Sequence, residues 1–455
     1  MPTQRKKAPN IVFIMSDQHR ADILGSHRSE LRTPHLDRLA KEGTSFNHCY
    51  TSAQACVPAR ACMMTGRYAE LHRTFSNQEV MSEVETTWPE VLDRHGYQAV
   101  AVGRTHHIDK GFETVRVPYG QSYPMIDYND VHEIPWGPQG FTACSPVPFE
   151  EFYEKKVADT AVGLMEDLGR NQPFAMYVGL LAPHPPFVLP EPFYSMYSAD
   201  AIRYEPQAPP PAGSRIAQTV RRHYGEHLTE ERQRQLQAAY YGMVSMMDAC
   251  IGILLDGLDR LGLADDTIVI YTSDHGEQMG HRGLWNKGVG YDKALRVPLI
   301  IRQPGVVPAD RTSEAMTEMV DLFPTILEGA GIPEQEWPVG RSGRSFWRAA
   351  AGETREHRDW VYSTLSNGRG QLYRDESWKL WYEVCGEGDR ITELYDLKGD
   401  PEEQVNLYHD PDYAPVRDRI QQRLRDFSLT ALHEGVSVLY PQATQAPTYN
   451  GQFKK

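Results

Sequence analysis

Short apolar segments recur along the chain with the length and composition of buried β-strands. Each is rich in aliphatic or aromatic residues and is bounded by polar or turn-forming residues, as expected of strands covered on both faces. These segments are residues 11–15, 98–102, 174–181, 267–271 and 298–301. Because helical patterns lie between them, we expect most of these strands to pair in parallel.

Two of the helical patterns have clear beginnings. Residues 33–43 open with Thr33 and Pro34, so Thr33 is expected to cap a helix whose first turn contains the proline. Residues 228–262 form a long amphipathic pattern in which Thr229 is followed by acidic residues. Strands that alternate with helices predict an α/β fold with a large, mostly parallel or mixed sheet flanked by helices.

The pattern changes towards the C-terminus. Residues 183–213 are rich in proline, which predicts a long loop over the sheet edge. Residues 368–384 alternate polar and apolar side chains like a hairpin, and residues 415–434 predict a terminal helix. We therefore expect an α/β domain over residues 1–355 and a small α+β domain, an antiparallel sheet plus a helix and a tail, over residues 356–455.

The composition narrows the class of protein. A chain of 455 residues is long for one hydrophobic core, and its 40% apolar and 24% charged residues are ordinary for a globular protein. The net charge of −14 argues against binding to nucleic acid, and no apolar run predicts a membrane span. The basic N-terminus is not followed by the apolar core of a signal peptide, so a cytoplasmic location is expected unless a leader has been removed.

The cysteine pattern does not resemble a structural zinc site or a disulfide scaffold. The six cysteines are residues 49, 56, 62, 144, 250 and 385, with no Cys-x-x-Cys pair. Cys56 instead precedes Pro58 and Arg60 at the start of a short helical pattern, so its thiol is expected at the positive end of a helix. A zinc or redox role for Cys49, Cys56 and Cys62 is a weaker alternative, which metal analysis would test.

Polar side chains follow four of the predicted strands at the point where each strand ends. They lie in residues 16–19, 103–107, 183–185 and 274–277. Any one of these residues alone is typical of a helix cap or a turn. Because ligands of open α/β sheets bind beyond the carboxyl ends of the strands, we expect all four groups to line one pocket.

The residue types in these groups, together with Arg60 and Lys287, indicate the class of reaction. Metal-ligating oxygen and nitrogen atoms are supplied by Asp17, Gln18, Asp274 and His275. This mostly oxygen set suits a hard divalent cation such as Ca²⁺, and its imidazole leaves Mn²⁺ as an alternative. Cations suited to a tetrahedral oxyanion are Arg60, Arg104 and Lys287, and imidazoles suited to proton transfer are His106 and His184. Together they predict hydrolysis of an anionic ester.

At these residues the sequence resembles the sulfatase family of the alkaline phosphatase superfamily. "CVPARACMMTGR" matches the family's Cys-x-Pro-x-Arg signature with its trailing Thr-Gly. Further family-like blocks follow in the expected order: "PNIVFIMSDQ", "TPHLDRLAKEG", "GRTHH", "APHPPF", "IVIYTSDHGEQMGHRGLWNKG", "VPLIIRQPG" and "ELYDLKGDPEEQVNL". The resemblance extends from Pro9 to about Leu407 and implies an alkaline phosphatase-like fold.

The resemblance implies that Cys56 is a precursor. A maturing enzyme, the formylglycine-generating enzyme, would read Pro58 and Arg60 and oxidise Cys56 to formylglycine, an aldehyde. Hydration would give a gem-diol, one hydroxyl of which attacks the sulfur of a sulfate monoester. Deprotonation of the second hydroxyl would then eliminate sulfate and regenerate the aldehyde.

The resemblance also implies a role for each site residue. The metal ligands would be Asp17, Gln18, Asp274 and His275. The catalytic residues would be Cys56, Arg60, His106, His184 and Lys287, with His106 driving the elimination and His184 and Lys287 contacting the sulfate or the leaving oxygen. Arg104, where the family usually has lysine, would bind sulfate, and Asn77 is a weaker candidate for the substrate wall.

One departure from the family leaves two alternatives open. Gln18 stands where many sulfatases have aspartate, and the phosphonate monoester hydrolases of the superfamily share the Asp-Gln and Asp-His pairs with a manganese-type site. Those hydrolases carry Tyr and Thr at the positions of Arg104 and His106, which favours sulfate chemistry here. The chain is therefore expected to be a sulfatase, with a phosphonate monoester or phosphodiester hydrolase, or a non-catalytic binding protein that keeps Cys56 as a thiol, as alternatives.

The substrate class is the least constrained expectation. Small-molecule or saccharide sulfate esters fit, and the segments expected to select among them are residues 114–141, residues 183–213 and the C-terminal domain. Their Tyr, Trp and His residues are suited to stacking on a sugar or aryl ring, but they could equally pack between lobes. Residues 438–455 could reach a neighbouring subunit, which leaves homo-oligomerisation open.

Overall fold

A computed structural model describes residues 8–118, 142–169, 172–202, 209, 228–385 and 389–439. Its central feature is an eight-stranded mixed sheet in the order β11-β2-β10-β9-β1-β7-β4-β5. These strands are β1 (Asn10–Asp17), β2 (Thr44–Phe46), β4 (Gln98–Gly103), β5 (Glu113–Val115), β7 (Phe174–Pro183), β9 (Thr267–Ser273), β10 (Leu299–Arg302) and β11 (Arg311–Ser313). Short pairs are formed by β3 (Cys49–Tyr50) with β12 (Thr317–Glu318) and by β6 (Thr142–Cys144) with β8 (Phe187–Leu189).

All five predicted core strands are present, and one of them runs in the unexpected direction. β1, β4, β7 and β9 are parallel neighbours, but β10 pairs antiparallel with both β9 and β2. A fully buried strand has the same composition in either direction, so residues 298–301 revealed a strand but not its polarity.

Helices cover both faces of the sheet. They are α1 (Pro34–Lys41), α2 (Cys56–Thr65), α3 (Ala69–His72), α4 (Trp88–Arg94), α5 (Tyr153–Leu168), α6 (Glu230–Arg260), α7 (Asp292–Leu295), α8 (Leu322–Gly329), α9 (Trp347–Ala350) and α10 (Ala414–Leu439). Alternate residues of β1 point to opposite faces: Val12 and Ile14 join the core under α5 and α6, whereas Phe13 and Met15 join the core under α2, α4 and α8.

The capping predictions had different outcomes. The start of the helix predicted over residues 228–262 is confirmed, and there the Thr229 side chain accepts the Arg232 N–H. Thr33 occupies the cap position of α1 but makes no capping bond, because its hydroxyl accepts the Gly25 N–H and donates to Asp37. The first turn of α1 is capped instead from α6, where the Asp248 carboxylate accepts the N–H groups of His35 and Leu36 at 3.1 and 2.7 Å.

Helix α6 is long and apolar enough to span a membrane, contrary to the expectation that no segment would be. In its most apolar stretch, 89% of the residues are buried inside the protein. The same residues, among them Met243, Met247 and Leu254, form the core against the sheet. The apolar run is therefore accounted for by packing within the fold.

The C-terminal part forms a separate antiparallel sheet, as the hairpin pattern predicted. Its order is β13 (Trp360–Leu365), β14 (Gly370–Asp375), β15 (Trp378–Cys385) and β16 (Asp389–Asp396). Helix α10 packs on this sheet through Ile420 and Leu424, which join Tyr362, Tyr373 and Leu380 in one apolar cluster. The boundary proposed at residues 355 and 356 stays a prediction.

The proline-rich segment is not wholly irregular. Within the expected loop 183–213, residues 187–189 form β8 and residues 199–201 form a short 3-10 helix. Residues 203–208 and 210–213, most of the expected specificity segment 114–141, and the tail beyond residue 439 lie outside the described residues.

Asp248 is expected to make stability depend on pH. Burial raises the pKa of Asp248 from 3.8 to about 7, although its two N–H partners oppose the shift. Because the folded protein holds this proton more tightly than the unfolded chain does, the stabilisation is complete below about pH 4 and is lost as the pH rises to about 7. Asp248→Asn should remove this slope, which is at most about 1.4 kcal/mol per pH unit. Urea unfolding of both proteins across this window measures the slopes, and equal slopes would show that Asp248 stays ionised.

Candidate active site

Four parallel strands deliver polar side chains to one end of the sheet. Asp17 is the last residue of β1, Arg104 and His106 follow β4, His184 follows β7, and Asp274 and His275 follow β9. The backbone of Arg104 passes so close to β7 that a Cβ at Gly179 would lie 2.0 Å from the Arg104 carbonyl oxygen. The glycine is therefore required to bring the Arg104 loop against the site.

A buried cluster of metal-ligating atoms lies at the centre of this end. Asp17, Cys56, Asp274 and His275 each offer a ligand atom, and these atoms all lie within 4.8 Å of one another. The His275 Nδ1–H donates to the Gly276 carbonyl at 3.0 Å, which leaves Nε2 facing the Cys56 sulfur at 3.2 Å. Two carboxylates and a correctly oriented imidazole fit a divalent cation.

Cys56 is the first residue of α2, as predicted, and it is 1% exposed. Burial and the neighbouring Asp17 carboxylate raise the pKa of the Cys56 thiol to about 12. A thiol with this pKa is protonated at neutral pH and is a poor nucleophile. Without a cation beside it, Cys56 is thus a protonated thiol.

Arg60 lies one helical turn after Cys56 and holds the two carboxylates in place. Its Nε donates to Asp274 Oδ2 at 3.0 Å, and its Nη2 lies 3.2 Å from Asp17 Oδ2. Its Nη1 donates to the Tyr177 hydroxyl at 2.6 Å and to the Arg104 carbonyl at 3.1 Å. A fully buried guanidinium with all these partners fixes the spacing of the ligand oxygens.

Tyr177 was missed by the sequence analysis. It lies inside the apolar run of β7, where a tyrosine is typical of core packing, and its ring stacks on Phe13 with centroids 5.8 Å apart. Its hydroxyl nevertheless reaches Arg60. A tyrosine inside an otherwise apolar core strand was the available signal.

Arg104, predicted to bind sulfate, and His106, predicted to drive its elimination, both lie against Asp17. Arg104 Nε and His106 Nε2 lie 3.3 and 2.8 Å from Asp17 Oδ2. Burial would raise the pKa of Asp17, but His184, His106 and Arg60 together hold it well below its ordinary value. The carboxylate therefore stays ionised among these groups.

His106 and His184 are both neutral imidazoles at neutral pH. Burial lowers the pKa of each well below 6.5, and the guanidinium of Arg104 acts in the same direction on both. The His184 Nδ1–H donates to the Pro185 carbonyl, so the Nε2 lone pair accepts from Lys287 Nζ at 3.2 Å. Lys287 also donates to Gln18 Oε1 at 2.6 Å. It therefore connects His184, predicted to contact the substrate, with Gln18, a predicted metal ligand.

Asn77 is the predicted site residue that the structure places at the margin. Its side chain is exposed, and its Oδ1 accepts the Val57 N–H at 3.0 Å, in the first turn of α2. This bond caps the helix that begins at Cys56. A role in the substrate wall stays a prediction.

Glu277 is a second residue to which the sequence analysis gave no role. It is 1% exposed, and its side chain accepts hydrogen bonds from the Gln18 amide and from the N–H groups of Met279 and Asn286. Burial raises the pKa of Glu277, and all three hydrogen bonds oppose that shift. Its position in residues 274–277, directly after a predicted strand, indicated a place near the pocket. Nothing in the sequence showed that its side chain contacts Gln18.

Comparisons with known proteins match nearly the whole chain. A family model described as Sulfatase matches residues 9–332, and one described as the C-terminal part of N-sulphoglucosamine sulphohydrolase matches residues 280–430. The chain is 30% identical to the multifunctional alkaline phosphatase superfamily protein PehA of Trinickia caryophylli, over 91% of this chain and 94% of that protein. It is 26% identical to the N-acetylglucosamine-6-O-sulfatase of Bacteroides thetaiotaomicron, over 93% of this chain and 87% of that protein.

A solved structure supports the same fold. The phosphonate monoester hydrolase SpPMH from Silicibacter pomeroyi superposes with a TM-score of 0.81 at 25% identity. The match covers 94% of this chain and 97% of that chain. The fold is therefore shared over nearly the whole chain.

Proposed function

The chain belongs to the sulfatase family and is a hydrolase acting on sulfuric esters, and from this premise we propose that it uses a formylglycine made from Cys56 together with a divalent metal. The observation that carries the proposal is the buried cluster of Asp17, Cys56, Asp274 and His275, whose ligand atoms lie within 4.8 Å of one another. A buried cysteine in that position fits a precursor whose aldehyde would lie beside the metal.

The metal would be held by Asp17, Gln18, Asp274 and His275. Ca²⁺ suits the oxygen-rich set, and Mn²⁺ is the alternative because one donor is an imidazole. Bound there, the cation would supply Lewis-acid stabilisation of developing negative charge. Arg60 contributes by keeping the two carboxylates at a fixed separation.

The remaining residues orient the ester and move protons. The hydrated aldehyde at position 56 would supply the attacking hydroxyl. Arg104 donates to sulfate oxygens, and the Lys287–His184 pair donates a proton towards the leaving oxygen. His106, neutral because burial lowers its pKa, would accept the proton of the second hydroxyl at position 56, so that the aldehyde re-forms as sulfate leaves.

The substrate class is proposed from the relatives. The N-acetylglucosamine-6-O-sulfatase among them supports a sulfated saccharide, and a small sulfate ester is the alternative. Maturation would require a formylglycine-generating enzyme, which recognises the segment containing Pro58 and Arg60.

A phosphonate monoester hydrolase is the second candidate, favoured by the Asp17–Gln18 pair and by the resemblance to SpPMH. Arg104 and His106 distinguish the two candidates physically. A sulfate monoester places an oxygen where a phosphonate carries a carbon substituent, and a guanidinium can donate to the oxygen but not to the carbon.

We therefore expect kcat/KM to be higher for an aryl sulfate than for the phosphonate monoester with the same leaving group. The expected ratio is at least about tenfold, which corresponds to about 1.4 kcal/mol of transition-state stabilisation. Both rates are measured on one enzyme preparation with the same metal loading. A reversed ratio would establish the second candidate.

A further inference from the structure

Glu277 joins the predicted metal site to the loop that follows β9. One of its carboxylate oxygens, Oε1, accepts the N–H groups of Met279 and Asn286 at 2.9 and 2.5 Å. The other, Oε2, accepts from the side-chain amide of Gln18. We infer that Glu277 is a positioning residue that fixes the orientation of the Gln18 amide, so that the amide oxygen faces the cation; this inference rests on the proposed function.

The orientation of the amide is specified from both sides. A carboxylate accepts hydrogen bonds and cannot donate, so the group facing Glu277 must be the NH₂ of Gln18. On the opposite side Lys287 Nζ only donates, and it contacts Gln18 Oε1 at 2.6 Å. Both neighbours therefore select the same arrangement, which leaves the oxygen on the side of Lys287, where the proposed ligand set requires the cation.

The backbone of Gln18 is constrained as well. Its φ is 68°, in the left-handed region that a non-glycine residue occupies at some cost, and its N–H donates to Asp274 Oδ1 at 3.0 Å. Since the main chain is held by one predicted ligand and the side chain by Glu277, Gln18 has little freedom to turn its oxygen away.

Glu277 also places a negative charge where the ligand set lacks one. A neutral Gln18 binds a cation more weakly than an aspartate would. A carboxylate that accepts from its NH₂ polarises the amide and increases electron density on Oε1. Glu277 thus supplies, next to the NH₂ of Gln18, the negative charge that the ligand set lacks.

Glu277→Gln is expected to weaken metal binding without opening the loop. The side-chain oxygen of the introduced glutamine would keep the two N–H partners, so its NH₂ would face the NH₂ of Gln18. Gln18 would then flip and present NH₂ to the cation. The dissociation constants for Mn²⁺ and for Ca²⁺, measured separately by calorimetry on metal-stripped protein, should rise about 10- to 100-fold.

Reversing donor and acceptor should restore binding. In the double variant Glu277→Gln with Gln18→Glu, the NH₂ of residue 277 would donate to the carboxylate of residue 18, whose other oxygen would face the cation. The total charge equals that of the original protein. Glu376→Gln, at a side chain that is 82% exposed, is the control for a distant loss of one carboxylate and should bind metal normally.

The outcomes separate this inference from the proposed function, because metal binding is measured without turnover or formylglycine. If the unaltered protein binds neither metal, the proposed metal site fails. If it binds metal and Glu277→Gln binds equally well, Glu277 does not position Gln18. If Glu277→Gln binds weakly and the reciprocal exchange fails to restore binding, Glu277 acts through the loop, and the inference is overturned.

Discussion

Replacing Cys56 with alanine is expected to abolish turnover, lowering kcat by about 10⁴-fold or more. The reason is that alanine cannot be oxidised to an aldehyde, so the site loses its attacking hydroxyl while keeping every other group. Stability should change little, because Cys56 contacts the polar site groups His275 and Asp17 and belongs to none of the apolar core clusters of the described residues.

Cys49 offers a matched control with the opposite expectation. It is fully buried in β3 and packs in the apolar core under α2 and α8. Cys49→Ala should therefore cost about 1 kcal/mol of unfolding free energy and leave kcat unchanged. The paired substitutions separate loss of chemistry from loss of packing, and a Cys56→Ala protein with full activity would rule out the proposed nucleophile.

The same two cysteines lie in one tryptic peptide, residues 42–60. After expression with a formylglycine-generating enzyme, the peptide should carry the aldehyde mass at position 56 and a thiol at position 49. A thiol at both positions, despite a competent maturing enzyme, would favour the non-catalytic alternative.

The end of the sheet at which the site lies could be predicted from the sequence, because both signals for it lie within a few consecutive residues. A buried parallel strand is recognisable from its composition, and polar residues directly after it must lie at its carboxyl end. Asp17, Arg104, His184 and Asp274 were identified in this way, although the structure leaves their chemical roles as proposals. The direction of β10 was missed because the apolar pattern of a buried strand is the same in both directions.

The residues that were missed are polar groups whose partners are distant in sequence. In the sequence, Tyr177 has the pattern of a core residue, and only the structure shows that its hydroxyl accepts from Arg60. Asp248 belongs to an apolar helix, and only the structure shows that it caps α1. Glu277 lies 259 positions from Gln18, and no periodicity connects them. Such pairs are set by tertiary packing, which a linear pattern does not encode.

Asp274→Asn is expected to remove metal binding and most of the activity. The aspartate is a predicted ligand whose Oδ1 accepts the N–H groups of Gln18 and His275 at 3.0 and 2.9 Å, while Oδ2 accepts from Arg60. Asparagine has the same size but only one oxygen, so its NH₂ must face either those N–H groups or Arg60. Both choices place donors against donors and remove a ligand charge.

We expect the dissociation constant of the metal to rise by at least about 100-fold, with kcat/KM at a fixed metal concentration falling accordingly. Metal-dependent stabilisation gives a measurement independent of catalysis: metal at about 100 times its dissociation constant should stabilise the unaltered protein by about 2.7 kcal/mol, and Asp274→Asn by much less at the same concentration. Asp265→Asn, the same change at an exposed residue near the opposite end of β9, is the control. Unchanged metal content and rate in Asp274→Asn would remove this carboxylate from the ligand set.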